Sequence, residues 1–571
     1  MIFDLHNIKG QDEIDVEVCI VGAGAAGIAI AHRLAGAGIK FCLAEAGGWS
    51  CEAETQDLYR GYSVGHPIDP CEGRYRVFGG STILWGGRCA ELDAMDFEAR
   101  DWVPHSGWPI RKSDLDPYYE QAKRLINFKK PWISDRLAIE RRPQLKIVES
   151  DDNVDLFVWR VASPDLIKTV RSYMKLGFQR NFNFAESYSK MLHSNEKAHV
   201  YLHANLCSLE SNIHGSSITA AIFKSLNGNL LKVRAKYFVL SASGVENARI
   251  LLNLRPNCLR QVNKHDNIGR YFMQHPRGCI LNLLADGKQA RFLQRNLNNF
   301  IRPPRYEIRY EYGFSLSKAS QIEHKLLNAS AALQYKAGDD AAWTVGRRLR
   351  DNLKKGELFS LRNLGDIGAL LLGAGSVLNN SIRKYITGFE LSIPKPVIEV
   401  IVDLEQEPDR ESRIFLTEDA DVTGLRRVAI DWKVGPAERR TARFMSEKLA
   451  QKFKAAGLAE SVAPDWLYTD APLTKHDLAG NYHFLGATRM SETPESGVVD
   501  SNCRVFGSHN LYVVGASVFP TSGHANPTLT IVALALRLTD HLMTRRSESR
   551  GTSGTSIENS SQDAGLASSN I

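Results

Sequence analysis

The chain has 571 residues, 43% hydrophobic and 24% charged, an ordinary composition for a globular protein that excludes a largely disordered or collagen-like chain. That length exceeds a single core and calls for at least two lobes, with room for a large cofactor between them. The net charge of +7 is spread along the chain and not gathered into a basic arm, so it reads as a solvated surface and no nucleic-acid partner is expected.

The opening residues MIFDLHNIKGQDEIDVEVCI carry acids where an export signal would carry a basic region and an apolar run. Nine cysteines occur without a CxxC pair or a zinc-type Cys/His spacing. They read as reduced, mostly structural thiols of a cytoplasmic protein, with no metal site expected.

DVEVCIVGAG reads as a buried strand ending in a glycine turn, AAGIAIAHRLAGAG as a helix stopped at Gly38, and IKFCLAEAGG as a second strand. This is a βαβ unit and predicts a parallel sheet. Between strand and helix, Gly22, Gly24 and Gly27 fit G-x-G-x-x-G: the first allows a tight turn, the second admits a pyrophosphate to the backbone, and the third brings helix and strand together. Glu45 ends the second strand, where a carboxylate would accept hydrogen bonds from ribose hydroxyls; Glu in place of Arg disfavours a 2′-phosphate. NAD and FAD both suit this unit.

RVFGGSTILWGGR, from Arg76 to Arg88, is a second glycine-rich stretch with an aromatic residue, as needed where backbone closely approaches a flat, polar ring. From Ala198 three strand-like runs suggest an antiparallel excursion returning to the parallel sheet. From Cys279 to Asp470, strands such as VIEVIVDLEQEP, SRIFLTE and RRVAIDW predict a second, mostly antiparallel lobe. Within it IGALLLGAGSVL, after a basic segment, is shorter than the about 20 residues that cross a bilayer. It allows a helix on a membrane surface, and a buried or oligomer-contacting helix is the simpler reading. Near the C-terminus SGHANPTLTIVALALRL places Asn526 as N-cap and Pro527 in the first turn of an apolar helix from Thr528 to Leu542.

At GGSTILWGGR the chain resembles the glucose-methanol-choline (GMC) oxidoreductases, flavoproteins that oxidise alcohols. The resemblance extends to HANLCSLESN, AKYFVLSASGVENARILL, IGRYFMQHP, and the block from NYHFLGATRM to HANPTLTIVALALRL. The form of the second glycine stretch and the closing ANPTLT are similar to the branch with pyranose oxidases, bacterial sugar dehydrogenases and glycoside oxidases. This implies FAD as cofactor. Some members attach the flavin through a His before the Trp of the second stretch; here Leu84 precedes Trp85, which implies non-covalent FAD, with Ile83 and Leu84 beside the ring. By the same carry-over Gly79, Gly80, Ser81 and Trp85 approach the flavin, and Asn205 or Leu206 lies by the adenine. Ser241 to Gly244 line the adenosine side, and Gly515, Ala516 and Ser517 approach the pyrophosphate and ribityl chain. The start of the last helix, Pro527 and Thr528, would face the part of the ring that gains negative charge.

Oxidising an alcohol requires removal of the hydroxyl proton, a task suited to His. His483, in NYHFLGATRM, matches the family position of the active-site His, and Asn526 matches a second position held by Asn in the sugar-oxidising branch. The pair implies one base and one neutral group that holds the substrate oxygen. His524 is expected to support the site from beside it, while His275, in QHP, is expected to serve the fold.

Together these readings predict an α/β FAD-binding Rossmann-like domain with a parallel sheet (12–126, 198–278 and 474–545), a mostly antiparallel α+β substrate domain (127–197 and 279–473) and a disordered tail (546–571). The implied function is FAD-dependent oxidation of the CH–OH group of a sugar, glycoside, aminosugar or polyol. Oxygen, or a quinone or other carrier, would reoxidise the flavin, and oligomers are compatible with this reading. The rival readings are a lyase with structural FAD and a flavoprotein subunit of a dehydrogenase complex.

Overall fold

The computed structural model describes residues 1–8, 10–128, 134–140, 142–162, 182–297, 309–336, 393 and 395–558. The predicted βαβ unit forms from strand Gln11–Val21, helix Ala25–Gly36 and strand Phe41–Ala44. Both strands are nearly continuous apolar runs at their C-terminal ends and are buried there, as parallel strands covered on both faces must be. They sit in an eight-stranded sheet ordered Ile2–Asp4, Ala198–Leu202, Phe41–Ala44, Gln11–Val21, Leu230–Leu240, Ile218–Lys224, Asn205–Ser211, with Leu511–Val513 beside Leu230–Leu240. Only the last two strands of that order run antiparallel to their neighbours. The predicted excursion is therefore confined to 205–224, and Ala198–Leu202 is a parallel strand between Ile2–Asp4 and Phe41–Ala44.

A second eight-stranded sheet is antiparallel throughout. Its order is Glu460–Val462, Pro276–Leu284, Val397–Leu404, Ala329–Lys336, Arg309–Leu316, Val154–Val161, Arg88–Cys89, with Ala479–Gly480 at the side of Pro276–Leu284. The fold is thus α/β, with a parallel-sheet lobe and an antiparallel lobe. Helix Pro436–Ala455 covers the second sheet with Ala442, Met445, Leu449 and Phe453 buried, an apolar stripe at helical spacing.

Several expected boundaries shift. Arg88–Cys89 and Ala479–Gly480, both assigned to the FAD-binding domain, hydrogen-bond into the antiparallel sheet. Helix Phe184–Ser194, assigned to the substrate domain, packs on helix Ala25–Gly36 of the first lobe. Strands Arg413–Ala420 and Arg426–Asp431 also leave the second lobe: they pair with Tyr62–Ser63 in a separate small sheet. Buried Arg249 explains this, since its guanidinium donates to Asp421, 2.6 Å away, and to the carbonyl of Arg426 at 2.8 Å.

The last helix runs from Thr528 to Glu558, past both the expected end at Leu542 and the expected start of a disordered tail at 546. Near position 545 it is tied to the first lobe: Arg545 donates to the Tyr512 hydroxyl at 2.9 Å and Arg546 pairs with Glu17. The segment containing IGALLLGAGSVL and residues 559–571 lie outside the described residues. Among the described residues no helix is long and apolar enough to cross a membrane.

Candidate active site

The two glycine-rich stretches meet over one cavity of about 730 Å³. The first turn is tight: Gly22 has φ +97°, and a Cβ on Gly27 would lie 1.9 Å from the Gly22 carbonyl oxygen, so helix and turn approach only because residue 27 lacks a side chain. A Cβ on Gly24 would instead meet open space. No side chain caps the helix that follows, and Gly22, Gly24, Ala25 and Ala26 line the cavity. The partial positive charge of that helix start is therefore available there to an anion. The Gly79 N–H donates to the Ala23 carbonyl at 2.9 Å and docks the second stretch on the first. Gly80, Ser81, Leu84 and Trp85 line the cavity, while Gly27 and Gly79 brace it from behind.

Glu45, Asn205, Leu206, Ser241 and Gly244 line the same cavity. The Glu45 carboxylate accepts from the backbone N–H groups of Ala23 at 2.8 Å and Gly47 at 3.0 Å, which leaves lone pairs for further donors. Burial pushes its pKa up to about 7 against the pull of those N–H groups and Arg76. Hydroxyl donors such as those of a ribose would favour its ionised form.

One part of the wall has no counterpart in the sequence reading. Arg74 and Arg76 each lie 3.0 Å from Glu246, Arg249 lies 2.9 Å from it, and Arg249 also pairs with Asp421. Burial disfavours charge on Glu246, but Arg76, Arg249 and Arg74 outweigh it and hold the carboxyl at about 2. Three guanidiniums against two carboxylates leave this wall positive. No local pattern joins residues so distant in the chain, so the cluster was not legible. Beside it Ser243, at φ +87°, lines the cavity with a buried hydroxyl that has no hydrogen-bond partner. The uncapped helix start, the open space over Gly24, the positive wall, the orphaned hydroxyl and Glu45 together fit a dinucleotide with an anionic pyrophosphate and a ribose, as FAD has.

The chemistry end brings the predicted pair together. His483 and Asn526 both line the cavity, with His483 Nε2 3.5 Å from Asn526 Nδ2. Gly515, Ala516, Pro527 and Thr528 are their neighbours on the wall. The helix start differs by one residue from the expectation: the Pro527 carbonyl accepts from the Ile531 N–H at 2.8 Å, so Pro527 is the N-cap and Asn526 stands outside the helix. Its side chain is thereby released from capping and turns to His483.

Behind the pair the structure departs from the sequence reading twice. His275, expected to serve the fold, places its Nδ1 2.8 Å from His483 Nδ1, and its Nε2 lies 3.3 Å from the Ser522 carbonyl oxygen. His524 is not on the cavity wall. It is buried against the edge of Phe157, with Nε2 3.5 Å from Asp93. Burial opposes its charge, but the hydrogen bond and charge of Asp93 and the charge of Asp96 outweigh this and raise its pKa. Of the two turn residues only Asn526 reaches the cavity wall, which sequence spacing alone does not reveal.

The electrostatics around His483 suit a base. Burial first, and His275 second, lower its pKa well below 6.5, while Asp403 pulls the other way. Asp403 accepts from Arg277 at 2.7 Å and Asn481 at 3.1 Å, and Arg88 lies 3.6 Å away. Burial favours its neutral acid, but Arg277 and Arg88 outweigh this and hold its carboxyl below the usual carboxylate range. His483 is thus neutral, with Asp403 favouring, and Arg277 and Arg88 opposing, the cation it would become.

Residues 408–535 match the family described as GMC oxidoreductase. The chain is 24% identical to 2-methyl-1,2-propanediol dehydrogenase of Mycolicibacterium austroafricanum over 93% of its own length and 96% of the relative's. Over shorter spans it is 32% identical to paromamine 6'-oxidase of Streptomyces fradiae, covering 29% of this chain and 28% of the relative. It is 24% identical to the large subunit of fructose dehydrogenase of Gluconobacter japonicus, covering 57% of this chain and 50% of the relative. The lobes, the cavity and the His483–Asn526 pair thus belong to an oxidoreductase whose residues 408–535 match the GMC oxidoreductase family.

Proposed function

We propose that the protein oxidises the CH–OH group of a sugar, glycoside, aminosugar or polyol, with FAD bound non-covalently in the cavity and His483 as base. The observation that carries this reading is the His483–Asn526 pair on the wall of the same cavity that holds the glycine turn and Glu45. The relatives support the substrate class, since their names specify a diol, an aminosugar and a sugar. Leu84 supports non-covalent binding: it lines the cavity and offers no nucleophile. Nine free cysteines support a reducing compartment such as the cytoplasm.

When bound, FAD supplies the hydride acceptor. The residues around it bind the substrate and move its proton. His483 Nε2 takes the hydroxyl proton, so that the O–H bond breaks, an N–H bond forms and the imidazole becomes imidazolium. Asn526 donates from Nδ2 to the same oxygen and does not titrate. Asp403, held ionised by Arg277 and Arg88, stabilises the imidazolium. The first turn of the last helix adds a partial positive charge to the wall.

A panel of sugars, glycosides, aminosugars and polyols, mixed anaerobically with the flavin-loaded protein, tests the reading. Bleaching of the flavin by members of the panel supports it. A substrate consumed without bleaching would show that FAD is structural and sink it. Acid precipitation should release the flavin into the supernatant; flavin retained in the pellet would overturn the non-covalent assignment. The same bleached enzyme, given oxygen or a quinone, identifies the acceptor.

A further inference from the structure

A chain of three groups runs from the protein interior to the base. It starts at the Ser522 carbonyl, which can only accept a hydrogen bond, so the 3.3 Å contact requires a proton on His275 Nε2. Burial keeps His275 neutral, lowering its pKa to about 4 despite the pull of Asp403. A neutral imidazole with its proton on Nε2 has a bare Nδ1, an acceptor. That Nδ1 lies 2.8 Å from His483 Nδ1, with the two rings near perpendicular at 82°. Two bare nitrogens would repel at this distance, so the His483 proton sits on Nδ1. His483 Nε2 is then a bare lone pair, and it is the nitrogen that faces the donor Nδ2 of Asn526.

We infer that His275 is a positioning residue that fixes the tautomer of His483, holding its proton on Nδ1 and presenting an unprotonated Nε2 to the cavity. The inference rests on the proposed role of His483 Nε2 as base and explains how that nitrogen is kept ready. A neutral histidine in water carries its proton mostly on Nε2, where it could not accept one from substrate, so the default tautomer must be overridden. The backbone N–H of His483 donates to Gln274 Oε1 at 2.8 Å. The residue that anchors the main chain and the residue that sets the proton are therefore consecutive, Gln274 and His275. The bond also survives the reaction, because an imidazolium keeps its Nδ1–H and still donates to His275.

The test is the ¹⁵N–¹H two-bond correlation spectrum of the flavin-loaded enzyme labelled at the histidine nitrogens, with His483 assigned by its loss in His483→Ala. Expected are a protonated Nδ1 and a bare Nε2 at His483 in the unaltered enzyme. A proton on Nε2 there would overturn the inference without any need for a stable variant. His275→Leu removes the acceptor and should move the proton to Nε2. Its flavin-reduction rate should fall by about 10²-fold or more with KM little changed, a direction set by the about 10⁴-fold cost of the wrong tautomer in a serine protease triad. His275→Asn keeps an oxygen close to the position of Nδ1 and should retain the tautomer and most of the rate. Equal losses in the two variants, with the tautomer unmoved, would reduce His275 to a packing role. A correct tautomer in an enzyme whose His483→Ala variant reduces flavin normally would sink the base assignment and leave the tautomer relay standing.

Discussion

The nucleotide end and the chemistry end of the cavity are built differently. At the nucleotide end the contact surface is mostly backbone: a glycine turn, an uncapped helix start and a second glycine stretch docked by a backbone hydrogen bond. At the chemistry end it is the side chains of His483 and Asn526, with His275 and Asp403 behind them, drawn from four segments. A backbone site tolerates change wherever a side chain points away and fails where a Cβ has no room. A side-chain site fails by degrees, according to which partner is removed.

Residue 27 gives the largest expected effect. Gly27→Val should leave the purified protein without flavin absorbance, because a Cβ there would overlap the Gly22 carbonyl oxygen. Gly24→Ala should weaken flavin binding while the cofactor-free protein melts at an unchanged temperature, since that Cβ enters only open space. Equal losses of stability in the two variants would erase the distinction between support and contact at this end.

At the other end Asn526→Ala should keep its flavin and reduce it about 10–100-fold more slowly, the loss of one hydrogen bond to a charged oxygen at about 1.5–3 kcal/mol. Stopped-flow reduction measures this. Loss of flavin with full activity per bound cofactor would move Asn526 to the nucleotide end.

The pH dependence follows from His275 and His483, both with folded pKa values below 6.5. Between those values and 6.5 the unfolded chain binds more protons, so stability is lost as pH falls below 6.5. For His275, at about 4 in the fold, the loss by the end of that window is about 3 kcal/mol. Buried Glu45, raised to about 7, titrates in the opposite sense, so the test is comparative: between pH 7 and pH 4.5 the flavin-loaded protein should lose about 3 kcal/mol more in denaturant unfolding than His275→Asn does. The acid limb of the rate should likewise lie below 6.5.

His524 gives the smallest expected effect on rate. His524→Gln should change flavin reduction by less than about threefold, because the residue lies off the cavity wall. Its pKa is raised by Asp93 and Asp96 against burial, so its stabilising contribution is present below 6.5 and lost as pH rises through the folded value. The variant should therefore cost more stability at pH 6 than at pH 8.5, read by thermal melting.

The same contrast governs what could be read from the chain. Gly22, Gly24, Gly27 and Glu45 lie in one βαβ unit, so their spacing already encodes their geometry, and the parallel sheet followed from it. His483 and Asn526 were recognisable through the motifs around them, but the groups that tune them were not. His275 looked like part of a structural motif because only the fold brings Pro276–Leu284 beside Ala479–Gly480 and so sets residue 275 against 483. The Arg74–Arg76–Glu246–Arg249 cluster joins segments over 170 residues apart and left no local pattern. His524 was placed beside the site by adjacency to Asn526, whereas only Asn526 reaches the cavity wall. The last helix was cut short because its final turns are polar, and hydrogen bonding carries a helix past the point where apolar periodicity ends.

Anaerobic single-turnover flavin reduction in His483→Ala, with the best substrate of the panel at saturation, tests the central claim most directly. Expected is a flavin-loaded variant with an unperturbed oxidised spectrum and a reduction rate lower by about 10²–10⁴-fold. Reduction at the rate of the unaltered enzyme would contradict it.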